Sequence, residues 1–261
     1  MTVFFHEMNR GFKPLLIWSA AVSFMLAVTI LLYPQMEPQM SEMEGMLADM
    51  GSFSAAFGMD KLNFSRLPDY FAIECGNTVG IGGALFAAIA GISILCKEEK
   101  DKTAEFLYTH PVSRCRIVLE KLLALVAQVI IFSIVIFAVT VLSTVIIGKG
   151  SDISDIWMIL LAHLLLEIEI ALICFGISSF IRGGIGIGIG ISIGMYFLNI
   201  IANITDDTKF LKYITPYAYT DGAEILNSHY IDGVYLTIGL ILAAVCTAAA
   251  FFRTAKKDIF C

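Results

Sequence analysis

The chain has 261 residues, 58% of them hydrophobic and 15% charged, and a mean hydropathy of +0.82, far above a soluble domain in which about 25% of residues carry charge. Its net charge of -6 supplies no basic face for neutralising phosphates, which excludes a nucleic-acid partner. Six cysteines without a CxxC pair or a Cys/His cluster at zinc spacing exclude a redox motif and a structural metal site, and are read as inert thiols.

Residues 1–13 place Phe4, Phe5, Met8 and Phe12 beside His6, Glu7 and Arg10, the pattern of an amphipathic segment lying along a membrane surface. A bilayer core of about 30 Å needs roughly 20 apolar residues in a helix. Six stretches meet that length, at about 14–33, 76–96, 118–147, 156–181, 184–204 and 233–252. The first could pass for a signal peptide, but it is too long, lacks a cleavage site and is followed by five more, so it is expected to be retained. The whole reads as a single domain, all-α and integral to a membrane, with no internal repeat.

An even number of spans leaves both termini on one side. Arg10, Lys13, Lys97, Lys100, Lys102, Arg114, Arg116, Lys121, Arg182, Arg253, Lys256 and Lys257 fall on that side, and only Lys61, Arg66, Lys149, Lys209 and Lys212 on the other. Positive residues stay inside, so the termini and the loop 97–117 are expected to be cytoplasmic, and segments 34–75, 148–155 and 205–232 outer. The first outer segment carries Met36, Met40, Met43, Met46, Met50 and Met59. Thioethers can bind Cu(I), but Met43, Met46, Leu47 and Met50 recur at helical spacing, so an apolar helix face is the preferred reading.

"KEEKDKTAEFLYTHPVSRCRIVLEK", residues 97–121, is the densest charged stretch. Ala104, Leu107 and Tyr108 form a short apolar stripe, Pro111 breaks the helix, and Ser113 can cap the next one. A helix, an elbow and a second helix entering the membrane are predicted. Such a helix could lie on lipid, solvate a turn or seat in a partner's groove.

Residues 98–121 resemble the first cytoplasmic loop of ABC-2 type exporter permeases, in which an acidic start precedes GT-x-E-x-L-L-x-x-P-V-S-R-x-x-I-x-x-x-K. Thr103, Glu105, Leu107, Pro111, Val112, Ser113, Arg114, Ile117 and Lys121 stand at matching places, while Lys102 and Tyr108 replace the usual glycine and leucine. "HEMNRGFKPLLIWS", "MLADMGSFSAAFGMD", "KYITPYAYTDGAEIL" and "FFRTAKKDI" extend the resemblance along the chain. It implies a coupling helix that docks on a separate ATPase, with Glu105, Phe106, Leu107, Tyr108, Pro111 and Arg114 in or beside the contact. It further implies two ATPase copies carrying ATP and Mg, a second permease copy or paralogue, and a place in a bacterial cytoplasmic membrane. No G-x-x-x-x-G-K-[ST] loop occurs, so the chain holds no recognisable ATP site of its own; no cofactor, metal or catalytic residue is expected on it.

Two of the spans carry unusual residues. Span four holds His163, Glu167 and Glu169; intramembrane carboxylates face protein or water, so these line a substrate path or make interhelical hydrogen bonds. His163 and Glu167 share a face and Glu169 points elsewhere. In span five, Gly186, Gly190 and Gly194 recur every four residues and invite close helix packing, whereas a dinucleotide fingerprint would need a preceding strand. The glycines of span five, with Gly76, Gly80, Gly82 and Gly83 of span two, make these spans the expected seam between two permeases. The rival readings are a secondary transporter or channel independent of ATP, for which repeated halves and broken helices are missing, and an intramembrane enzyme, for which one histidine and two glutamates are too few.

Overall fold

The computed structural model describes residues 2–48, 66–97, 113–181 and 184–256, with side chains omitted at 40–48, 206 and 255. Among the described residues the chain is helical and without strands. Seven α-helices follow in order: α1 (Thr2–Ala48), α2 (Leu67–Ser93), α3 (Arg114–Ile146), α4 (Ile153–Ser178), α5 (Ile185–Ile204), α6 (Gly222–Ser228) and α7 (Gly233–Lys256). All but α6 are long and apolar enough to cross a membrane.

Helix α1 is longer than the sequence suggests. Its 47 residues pass through Pro14, Pro34 and Pro38 without ending, giving a rod of about 70 Å at 1.5 Å per residue. Residues 2–13 therefore continue in line with the first span, and the helix runs past the apolar stretch to Ala48. Each proline removes one i→i−4 bond, a loss that helices packed in lipid tolerate. Helix α2 starts at Leu67, nine residues before the apolar stretch at 76. Proline sits in its first turn and Asp69 beside it, where a missing N–H costs nothing and a negative charge suits the helix dipole. Arg66 pairs with Asp69 and with Asp155 of α4, each at 3.6 Å.

Helix α4 is the axis of the bundle. Two-thirds of its apolar window is buried, and α2, α3 and α7 pack around it. Close approach to two neighbours depends on glycine. A β-carbon on Gly91 of α2 would meet the Ala171 carbonyl, and one on Gly176 of α4 would meet Cys246 of α7. Helix α1 lies against α3 and α2, and α5 leans on α2 alone among the long helices apart from a slight touch on α4. Only 17% of the apolar windows of α5 and α7 is buried.

The connection from α5 to α7 turns back into the bundle. Pro216, Tyr217, Ala218, Tyr219 and Thr220 form a buried 3-10 turn between α4, α5 and α7. Thr215 caps it by accepting from the Tyr217 N–H and donates to the Met195 carbonyl at 2.9 Å. Asp221 then caps α6 by accepting from the N–H groups of Ala223 and Glu224. His229, at φ 55°, ends α6 in the left-handed conformation.

Candidate functional site

Polar side chains inside an apolar bundle cost free energy unless they meet partners. Three such side chains sit on α4. His163, Glu167 and Glu169 are at most 1% exposed. His163 and Glu167 face α2, where Gly80 and Gly83 leave the room they occupy: a β-carbon on Gly80 would lie 3.5 Å from His163 Nε2, and one on Gly83 would overlap the Glu167 carboxyl. Glu169 faces the other way, into the notch left by Gly239 of α7.

His163 Nδ1 lies 2.9 Å from the Ile159 carbonyl. A carbonyl only accepts, so Nδ1 carries the proton and Nε2 is left as an acceptor toward α2. Cys75 Sγ sits 3.9 Å from His163 Nδ1. Ser133 of α3 donates to Glu167 Oε2 at 2.6 Å, an interhelical bond that ties α3 to α4. The Tyr219 hydroxyl approaches the Glu169 carboxyl without closing a hydrogen bond of standard geometry. Tyr217 donates to the Gly80 carbonyl at 3.0 Å. Burial pushes the phenols of Tyr217 and Tyr219 well above their ordinary range, so both remain neutral at physiological pH.

These contacts predict a measurable asymmetry. Ser133→Ala leaves the buried Glu167 carboxyl without its donor and is expected to destabilise the chain by about 1 kcal/mol. Glu167→Gln keeps the shape and an acceptor for Ser133, and should fall within about 0.5 kcal/mol of the native protein. Thermal unfolding in one detergent compares the two.

The opening in the described structure lies elsewhere. A crevice of about 70 Å³ between α2 and α5 is lined by Asn77, Tyr196, Asn199, Asn203, Tyr217 and Asp221. Tyr196 donates to Asn77 at 3.1 Å, and Asn199 Oδ1 is buried there without a hydrogen-bond partner among the described residues. Sequence reasoning passed over these residues, because single amides and phenols spaced along two separate spans carry no pattern until the spans are brought together. A larger open depression of about 370 Å³ lies beside α6, lined by Glu224, Asn227, Tyr230 and Asp232.

Most of the span-two glycines are occupied within the chain. Gly80 and Gly83 are filled by α4 and Gly82 by Val22 of α1 within the same chain, and only Gly76 is open. In α5, Gly188 packs on Ile92 and the Ala88 carbonyl, whereas a β-carbon on Gly186, Gly190 or Gly194 would meet nothing within 4 Å among the described residues.

Of the residues expected to dock a partner, Glu105, Phe106, Leu107, Tyr108 and Pro111 lie outside the described residues. Arg114 is half-buried at the first position of α3, after Ser113 in extended conformation. Met40, Met43, Met46, Met50 and Met59 likewise lie beyond the described side chains, and among the described residues no three His, Cys, Asp or Glu side chains gather as a metal site would require.

No curated protein matches the sequence. A family model described as ABC-2 family transporter protein matches residues 1–259, nearly the whole chain. Six apolar crossing helices, a polar interior held by helices α2 to α4 and a match of that extent identify the chain as an integral membrane permease subunit, a member of the ABC-2 transporter family.

Proposed function

We propose that this permease is driven by separate ABC-type ATPase subunits that grip residues 97–117, and that it works as an exporter with its termini in the cytoplasm. The carrying observation is the family match over residues 1–259 together with the "DKTAEFLYTHPVSRCRIVLEK" segment. A permease without a phosphate-binding loop must draw its energy from another chain. The segment joins α2 to α3, and both helices pack on α4, so a rigid displacement of a docked partner would reach the bundle's axis directly.

Two further points complete the reading. The bare face of Gly186, Gly190 and Gly194 on α5 suits a second permease, a copy or a paralogue, since glycine lets backbones approach closely in lipid. The crevice between α2 and α5 is lined by polar side chains, whereas His163, Glu167 and Glu169 are shut inside one chain; a substrate path is better served by the crevice. ATP and Mg would be held by two ATPase copies, outside this chain.

Co-expression of the tagged permease with an ABC-type ATPase subunit is expected to give a complex of two permeases and two ATPases that hydrolyses MgATP. A permease that brings down no ATPase and transports in vesicles without ATP would instead be a secondary transporter or channel.

A further inference from the structure

The first turns of α1 sit between Lys97, just past the end of α2, and the start of α3. Glu7, 1% exposed, pairs with Lys97, which immediately precedes that stretch. Its other oxygen pairs with Lys121 of α3 at 3.5 Å. Lys121 is 2% exposed and donates to the Ile94 carbonyl at the end of α2, at 2.7 Å. One carboxylate thus serves an ammonium on each side of the loop.

The neighbouring contacts reinforce the same joint. Glu120 accepts from the N–H groups of Val3 at 3.1 Å and Phe4 at 3.3 Å, so α3 supplies an acidic cap to the start of α1. Arg116 Nε donates to the same carboxylate at 3.1 Å. Two turns beyond Lys121, Gln128 Nε2 donates to the Glu7 carbonyl at 3.2 Å, and a β-carbon on Gly11 would collide with its amide. Side chains buried this completely are poor at solvating a surface. Their geometry fixes the end of α2, the start of α3 and the first turns of α1 as one unit.

We propose that Glu7 is a positioning residue for coupling: its carboxylate holds Lys97 and Lys121, and so the entry and exit of the coupling segment, at a fixed spacing. A force applied to residues 98–112 by a docked ATPase is then shared among α1, α2 and α3 and is not lost in a flexing loop. The inference rests on the coupling reading given above. It adds the N-terminal turns, which would otherwise count only as a membrane-surface anchor, to the moving apparatus.

The assay is MgATP hydrolysis by the assembled permease–ATPase complex, with no transported substrate required. Glu7→Gln is expected to co-purify with the ATPase in the native ratio and keep its KM for MgATP, while kcat falls about tenfold. Glu7→Asp, which keeps the charge, should recover most of the loss. The double variant Glu7→Leu with Lys121→Met removes the two most deeply buried charges together and leaves Lys97, which is partly exposed, in reach of water. It is expected to restore thermal stability but not kcat, and it decides the matter where Glu7→Gln does not accumulate. A native kcat for Glu7→Gln, or a double variant that regains both stability and kcat, would show that the cluster merely holds the fold. If the native permease brings down no ATPase, the coupling reading falls and the Glu7 role with it; native coupling with an insensitive Glu7→Gln removes the Glu7 role alone.

Discussion

Replacing Leu107 and Tyr108 together by aspartate is expected to abolish co-purification of the ATPase while leaving the permease in the membrane at its native level. In the sequence these two residues and Ala104 form the only apolar stripe of an otherwise charged loop, and a short helix that seats in a groove does so through such anchors. Central apolar or aromatic anchors each contribute about 2 kcal/mol or more, so losing both weakens binding at least about a hundredfold. Aspartate adds the desolvation of two carboxylates to the lost contacts. Insertion should be unaffected, because the spans on either side are untouched. Lys102→Ala, off the apolar stripe, serves as the control and should change the recovered ratio little. Unchanged recovery of the ATPase with both aspartates in place would move the docking surface away from this segment.

Span number was legible because a bilayer imposes a length and a composition that a hydropathy reading detects directly. Family membership was equally legible, from the fixed spacing of residues 98–121. On α4, the i, i+4 spacing was enough to put His163 and Glu167 on one face and Glu169 on another, and the structure places Gly83 and Gly239 against those two faces. What could not be read was the partner of each face. Ser133 meets Glu167 across 34 residues of sequence, and Glu120 caps an N–H at Val3, 117 residues away. Nothing local distinguishes these residues from ordinary hydroxyls and surface acids.

Charge patterning misled in a related way. Lys121 counts as one more positive residue on the inner side, yet it is buried and paired. Tyr217 and Tyr219 belong by composition to an outer loop, but the 3-10 turn carries them into the bundle. In both cases tertiary contacts, not local preference, decide burial. Pro14 reads as a helix boundary only if the preceding residues have no reason to stay helical; here Glu7, Gly11 and Glu120 pin the first turns of α1 to α3, and the helix runs through.

Two glycine substitutions separate packing within one permease from packing between two. Gly91→Val is expected to lower the thermal midpoint of the isolated permease by about 5–10 °C, from an overpacking cost of about 2–3 kcal/mol. The added β-carbon meets the backbone carbonyl of Ala171 and lies 3.1 Å from the Cys174 β-carbon. A carbonyl within a helix cannot rotate aside, so α2 and α4 must part. Gly190→Val meets nothing within 4 Å in the same chain, and valine is no worse than glycine inside a helix. The isolated permease should therefore keep its thermal midpoint. If a second permease seats on the bare α5 face, however, the same substitution should convert the two-permease species to single chains on sizing in mild detergent, because a branched side chain forbids the close backbone approach that glycine allows. A pair that survives Gly190→Val places the seam on another helix, and an unchanged midpoint for Gly91→Val would mean that α2 and α4 are not held at glycine distance. The two variants share a chemistry and differ only in what each glycine faces, so any difference between them reports the neighbour and not the residue.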